Sequence, residues 1–153
     1  MLKRLLARRG YTLIETVLVL AITGLTITVG VVRLAPALQR AKVKAAANTI
    51  AGDFQYAQIM AVRNRTPVAI HITTSTKSYQ IRARDDATDI YRTRQLGPGT
   101  DFGLQSLAAT SSQIILYPNG VALETVTLTP EINGRMRRVR ITQAGQIRII
   151  TAW

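Results

Sequence analysis

The chain reads as an α+β protein in which a long N-terminal helix, membrane-spanning in its first half, packs on a C-terminal β-sheet head. Three observations predict this. Tyr11 to Val32 is apolar, with Glu15 as its only charge. From Val43 to Ala61 the apolar residues Val43, Ala47, Ile50, Phe54, Ala57 and Ala61 recur at alternating spacings of four and three, the period of a helix buried along one stripe. After Pro67 the period becomes two, and short strand-like runs alternate with turn residues, so that strands follow a helix in blocks.

In chain order, residues 1–10 form a basic leader carrying Lys3, Arg4, Arg8 and Arg9. Residues 11–34 form the apolar helix. The 22 residues from Tyr11 to Val32 span about 33 Å as a helix, enough for a hydrocarbon layer of roughly 30 Å. The cationic leader then favours a cytoplasmic N-terminus and an outward head. A conventional secretory signal fits poorly, because the apolar stretch is too long and no small-residue cleavage site closes it. A plain signal anchor leaves Glu15 unexplained, since a carboxylate inside such a segment costs roughly 2.5–3.5 kcal/mol on insertion scales. Gly24, Thr26, Thr28 and Gly30 weaken the helix, and Pro36 removes a backbone donor just beyond it. Residues 35–65 continue as an amphipathic helix, with Lys42, Lys44, Gln55, Gln58 and Arg63 off the apolar stripe. Gly52 within it marks a local weakness or a close approach. Pro67 ends the helix by disfavouring helical geometry at the residue before it.

Residues 66–153 form the head. Strands are expected over 68–72, 78–84, 90–96, 113–117, 121–128, 137–142 and 146–151. Turn chemistry at Asp85-Asp86, Gly97-Pro98-Gly99, Pro118-Asn119-Gly120 and Asn133-Gly134 separates them. The stretch from Leu96 to Ser112 is expected to be a mobile loop.

The segment Arg8-Arg9-Gly10-Tyr11-Thr12-Leu13-Ile14-Glu15 resembles the type III signal and first helix of type IV pilins and type II secretion pseudopilins. The resemblance implies a membrane-anchored precursor cut between Gly10 and Tyr11 by a prepilin peptidase/methyltransferase, with N-methylation of Tyr11. It implies that Glu15 pairs with the amino terminus of a neighbouring subunit, placing the protein in the bacterial inner membrane and then in a periplasmic or extracellular filament. Three pieces of the head are similar to the GspH/FimT-type pseudopilins and minor pilins. They are Phe54 to Asn64 followed by Pro67-Val68, the turn Leu116-Tyr117-Pro118-Asn119-Gly120, and Val139 to Thr142 with Gly145 to Ile149. The implied role is a low-copy subunit near a filament tip, supporting protein secretion or pilus biogenesis alongside other pilin subunits.

Little in the sequence points to catalysis. His71 lies alone in an alternating strand, and Asp85, Asp86 and Asp89 lack the glycine and closing glutamate of a calcium loop. Gly97-Pro98-Gly99 lacks the Lys-Ser/Thr of a phosphate loop. The expectation is no enzyme, no cofactor and no metal. With no cysteine, thiol chemistry is absent.

Charge is the stronger signal. The formal net charge is +12; without the four leader cations it is +8, which favours an acidic partner such as nucleic acid, anionic lipid or an acidic subunit. Arg135, Arg137, Arg138, Arg140 and Arg148 crowd the C-terminal end, and the last acid is Glu131. If Val139, Ile141, Ile147 and Ile149 point inward across a hairpin turned at Gln143-Ala144-Gly145, then Arg138, Arg140 and Arg148 point outward, with Arg135 and Arg137 leading into the hairpin. Such a cluster can grip phosphates bidentately. Gly134-Arg135-Met136-Arg137 resembles the Gly-Arg-x-Arg motif of DNA-uptake minor pilins of the FimT type, although the glycine ahead of the last strand, Gly145, is followed by Gln146. DNA binding for natural transformation is therefore the alternative to a purely structural role.

Overall fold

The computed structural model describes residues 12–151, without the side chains of 29–33. Gly10 and Tyr11, the two residues of the expected cleavage site, and the leader ahead of them lie outside the described residues. One helix, α1, runs from Leu13 to Asn64, with Pro36 inside it. Eight strands follow: β1 (Val68–Thr73), β2 (Ser78–Ala83), β3 (Ile90–Gln95), β4 (Ser106–Ala109), β5 (Gln113–Leu116), β6 (Val126–Ile132), β7 (Arg135–Ile141) and β8 (Ile147–Thr151). The chain divides into two compact units between Ala37 and Leu38.

In the first unit, Thr12 caps the helix. The Glu15 amide donates to Thr12 Oγ1 at 3.3 Å, and the acid in the first turn faces the positive end of the helix dipole. The helix stays regular through Gly24 despite the weak formers around it. Its threonines turn their hydroxyls back on the backbone. Thr16 donates to the Leu13 carbonyl at 2.8 Å, Thr23 to Val19 at 2.7 Å and Thr28 to Gly24 at 2.8 Å, and Thr26 does the same to Ile22. The apolar side chains meanwhile stand bare, with Leu13 82% and Leu25 72% exposed. Among the described residues no helix is long and apolar enough to cross a membrane; the uninterrupted run of described side chains stops at Thr28.

In the second unit, the residues at helical spacing are buried as their period requires: Val43, Ala47, Ile50, Phe54, Ala57 and Ala61 are all in the core. Gly52 is exposed, with open space where a Cβ would stand, so it is not a close approach. The helix ends at Asn64, where Arg65 takes a left-handed φ of 54° ahead of Pro67.

Two antiparallel sheets supply the rest of the core, in the orders β3-β2-β1-β5 and β4-β6-β7-β8. The first contributes Val68, Ile70, Tyr79, Ile81, Ile114 and Leu116, the second Val126, Leu128, Val139 and Ile141, all in one apolar cluster with the helix stripe. Phe54 and Tyr79 meet edge to face, with ring centroids 6.5 Å apart. Each large side chain buried in this way contributes about 1.5–3 kcal/mol. The β6–β7 hairpin turns on Asn133 and Gly134, both at positive φ, the geometry a two-residue Asn-Gly turn needs.

Two expectations are corrected. The segment from Leu96 to Ser112 is built into the fold: it contains β4, and Leu96, Leu104 and Leu107 are buried. The strand expected over 121–128 begins only at Val126 and continues through Pro130 to Ile132; before it, a single bridge ties Ala122 to Leu116.

Candidate functional site

The head carries two kinds of arginine group. On the first sheet, Arg92 and Arg94 alternate along β3 and both reach Asp53 of α1. Arg92 Nη1 lies 2.6 Å from Asp53 Oδ1, and Arg94 Nε lies 2.9 Å from Oδ2. The Tyr79 hydroxyl donates to the same Oδ2 at 2.6 Å, and the Arg92 guanidinium stacks 4.0 Å from the Tyr56 ring centre. Asp53 is 3% exposed. Burial pushes its carboxyl up, but hydrogen bonds from Arg94, Tyr79 and Arg92 outweigh that and hold it below the usual carboxylate range. Burial, with the Asp53 bond next, pushes the Tyr79 hydroxyl well above its ordinary value. Both cations here share one carboxylate within the fold. The sequence reading missed Asp53; its trace is an acid on the buried side of the helix, beside Ile50 and Phe54, together with Arg92-Thr93-Arg94.

The C-terminal arginines differ. Residues of β7 alternate between sheet faces, so Val139 and Ile141 are buried while Arg138 and Arg140 are exposed. Arg140 stands directly opposite Arg148 of β8, a like-charge pair that is itself unfavourable. Arg140 Nε lies 3.4 Å from Thr127 Oγ1, and Arg148 Nη2 donates to Gln146 Oε1 at 3.0 Å. The expected turn at Gln143-Ala144-Gly145 forms, with Gly145 at a φ of 76°. Ile149 pairs with Val139 on the inner face, yet stays 37% exposed on the edge strand.

Arg135 and Arg137 belong to the other face. They share the register of Val139 and Ile141, and Arg135 pairs with the buried Ile132. With Arg40 of α1 they line an open cavity of about 500 Å³, together with Val43, Gly134, Met136 and Thr151. The single arginine cluster expected from the sequence is therefore two groups on opposite faces of one sheet. Gly134 of the Gly-Arg-x-Arg segment is a residue of the β6–β7 turn. Among the described residues, both ion pairs are those of Asp53, so no acid answers either C-terminal group.

His71 accepts a hydrogen bond from Arg82 Nη2 at 2.8 Å and lies 3.3 Å from Gln113 Nε2. Burial and the Arg82 charge hold it below the usual imidazole range, which fits a neutral side chain in a structural contact. Asp86 accepts from the Thr88 amide at 2.8 Å and hydroxyl at 2.6 Å, a self-contained turn. Among the described residues no cluster of His, Cys, Asp or Glu could hold a metal ion.

The family model for the type II transport protein GspH matches residues 46–145. No curated protein sequence matches the chain. Among solved structures, the type IV minor pilin FimU of Pseudomonas aeruginosa is similar at a TM-score of 0.60 and 21% identity, over 72% of this chain and 89% of that one. The minor pseudopilin EpsH from the type 2 secretion system of Vibrio cholerae is similar at a TM-score of 0.56 and 14% identity, over 72% of this chain and 97% of that one. At these identities the two structures speak for the fold alone: a helix packed on antiparallel sheets. The family match spans well over half of the 153 residues, and with it the chain belongs to the GspH family of pseudopilins and minor pilins.

Proposed function

We propose that the protein is a minor subunit of a type II secretion or type IV pilus filament, held in the inner membrane by its N-terminal helix until it is cut between Gly10 and Tyr11 and assembled. The observation that carries this reading is the bare apolar surface of α1 from Leu13 to Thr28, interrupted only by Glu15 and by threonines that bond to their own helix. So much exposed apolar surface needs lipid or other helices around it. In such surroundings an ionised Glu15 is strongly unfavourable alone and strongly favourable beside a cation. The freed, N-methylated amino terminus of a neighbouring subunit supplies that cation and sets the axial register between subunits. The head then faces the periplasm, near the filament tip, where it contacts other subunits. Its work is assembly and not catalysis.

The test uses the full chain in its native host. Gly10→Ala is expected to abolish both trimming and filament incorporation, whereas Glu15→Val keeps trimming, read by mass spectrometry, but loses incorporation. A Glu15→Val subunit found in filaments at normal amounts removes the pairing role.

A second reading, DNA capture during uptake, draws support from Arg138, Arg140 and Arg148, which form an exposed patch with two arginines directly opposed. Anionic phosphates relieve that repulsion. Binding of duplex DNA that collapses with salt and depends on these three residues more than on an equal number of other surface cations favours it. Absence of binding at low salt ends it.

A further inference from the structure

We propose that the cavity lined by Arg40, Arg135 and Arg137 is a carboxylate-binding site that receives an acidic peptide segment of a partner protein, which within the filament reading is a neighbouring subunit. The inference rests on that reading only for the identity of the partner.

Three features of the head carry it. First, the inner face of β7 changes character along its length: Val139 and Ile141 close the core, then Arg137 and Arg135 continue the same face beside buried Ile132 and the Thr151 end of β8. Arginine on the inner side of a sheet is unfavourable unless its head group meets solvent or an anion. Second, α1 brings Arg40 to the same place, above buried Val43. Three arginines therefore line one concavity from two elements separate in sequence. Third, among the described residues no acid of the head answers them. The acid that β6 sets beside this stretch, Glu131, lies opposite Met136 and forms no ion pair with these arginines. The partly buried Arg92 and Arg94, by contrast, share Asp53.

The shape selects the ligand. The cavity of about 500 Å³ is concave, with Val43 in its wall; it fits one or two carboxylate side chains on a protruding segment. The planar guanidinium fork matches a carboxylate bidentately, and the partly apolar wall strengthens such bonds relative to open water. A duplex presents phosphates along a wide convex surface, which the exposed Arg138, Arg140 and Arg148 face accommodates better.

The experiment is a fluorescence anisotropy titration of the full chain in non-ionic detergent with labelled hexaglutamate, at an ionic strength of about 0.15 M. Hexaglutamine and a short duplex DNA are measured alongside. Hexaglutamate is expected to bind and hexaglutamine not. Arg135→Gln/Arg137→Gln is expected to weaken hexaglutamate binding about tenfold or more, and Arg40→Gln, on another element, to weaken it in the same direction. Arg138→Gln/Arg140→Gln, with the same loss of charge, is expected to change it by less than about twofold. Thermal unfolding of each variant verifies that the fold persists. Equal losses from both double variants, no binding of hexaglutamate, or DNA binding that depends on Arg135 and Arg137 while hexaglutamate binding does not, each overturns the proposal. Those outcomes leave the filament reading standing, because trimming and incorporation are measured separately.

Discussion

Arg92 and Arg94 of the first sheet and the arginines of the second are held in opposite ways. On the first, Arg92 and Arg94 point into the fold and share one buried carboxylate, Asp53, which also takes the Tyr79 hydroxyl. On the second, among the described residues, the arginines of β7 and β8 meet no acid, and two of them stand opposed. A cation whose counterion lies in the same fold holds the helix against its sheet. A cation left without one on a basic protein stores unfavourable charge that only an outside anion relieves. The second sheet is joined to α1 by neutral means, apolar contact and the Gln58 Nε2 donation to the Gly145 carbonyl at 2.7 Å.

Breaking the first arrangement has the largest expected effect. Asp53→Ala leaves two guanidinium groups and a buried hydroxyl unpaired, and is expected to lower the unfolding free energy by about 3–4 kcal/mol, measured by chemical denaturation of the full chain in detergent. Because the Asp53 carboxyl is held below its ordinary value, its stabilising contribution is present above the unfolded value near 3.9 and disappears as pH falls through the lowered folded one. The difference between the wild type and Asp53→Asn should therefore shrink between pH 7 and strongly acidic solution. A constant difference would show that packing, and not charge, is what Asp53 provides.

Gly145→Ala attacks the neutral attachment of the second sheet. The residue has a φ of 76°, and a Cβ there would overlap the Gly120 carbonyl oxygen, which is backbone and cannot swing aside. A loss of about 2 kcal/mol is expected from the strained backbone and the clash, with the β8 hairpin amides exchanging faster with solvent. At the small end, Arg138→Gln/Arg140→Gln should change stability by no more than about 0.5 kcal/mol, or raise it slightly as the repulsion with Arg148 is relieved. A large loss there would erase the distinction between the two sheets.

Much of this architecture is legible in the sequence because its signals are local. The helix stripe from Val43 to Ala61, the stop at Pro67, the Asn133-Gly134 turn and the hairpin at Gln143-Ala144-Gly145 each follow from spacing or from a residue's backbone preference. What escapes reading depends on distant partners. β4 is four residues long and half alanine, with β propensity too weak to be seen; it exists because Leu107 finds a place beside Pro130. That proline also hides the second half of β6, since proline argues against an interior strand. Asp53 is separated from Arg92 by 39 positions, and Arg40 is farther still from Arg135, so neither grouping leaves a motif. The outward face of β7 and β8 was readable from alternation; that Arg135 and Arg137 share the inward face was equally present in that alternation, and it acquires meaning only once Arg40 is seen beside them.

The threonines of the N-terminal helix carry one more consequence. Thr16, Thr23, Thr26 and Thr28 each satisfy a hydroxyl on the turn behind them, so apart from Glu15 this stretch asks nothing of its surroundings except that they be greasy. Lipid tails and the flanks of sister helices meet that requirement equally well. On the proposed filament role, a rod built this way would pass from lipid into a helical bundle with its internal bonds unchanged, and Glu15 alone would distinguish the two settings.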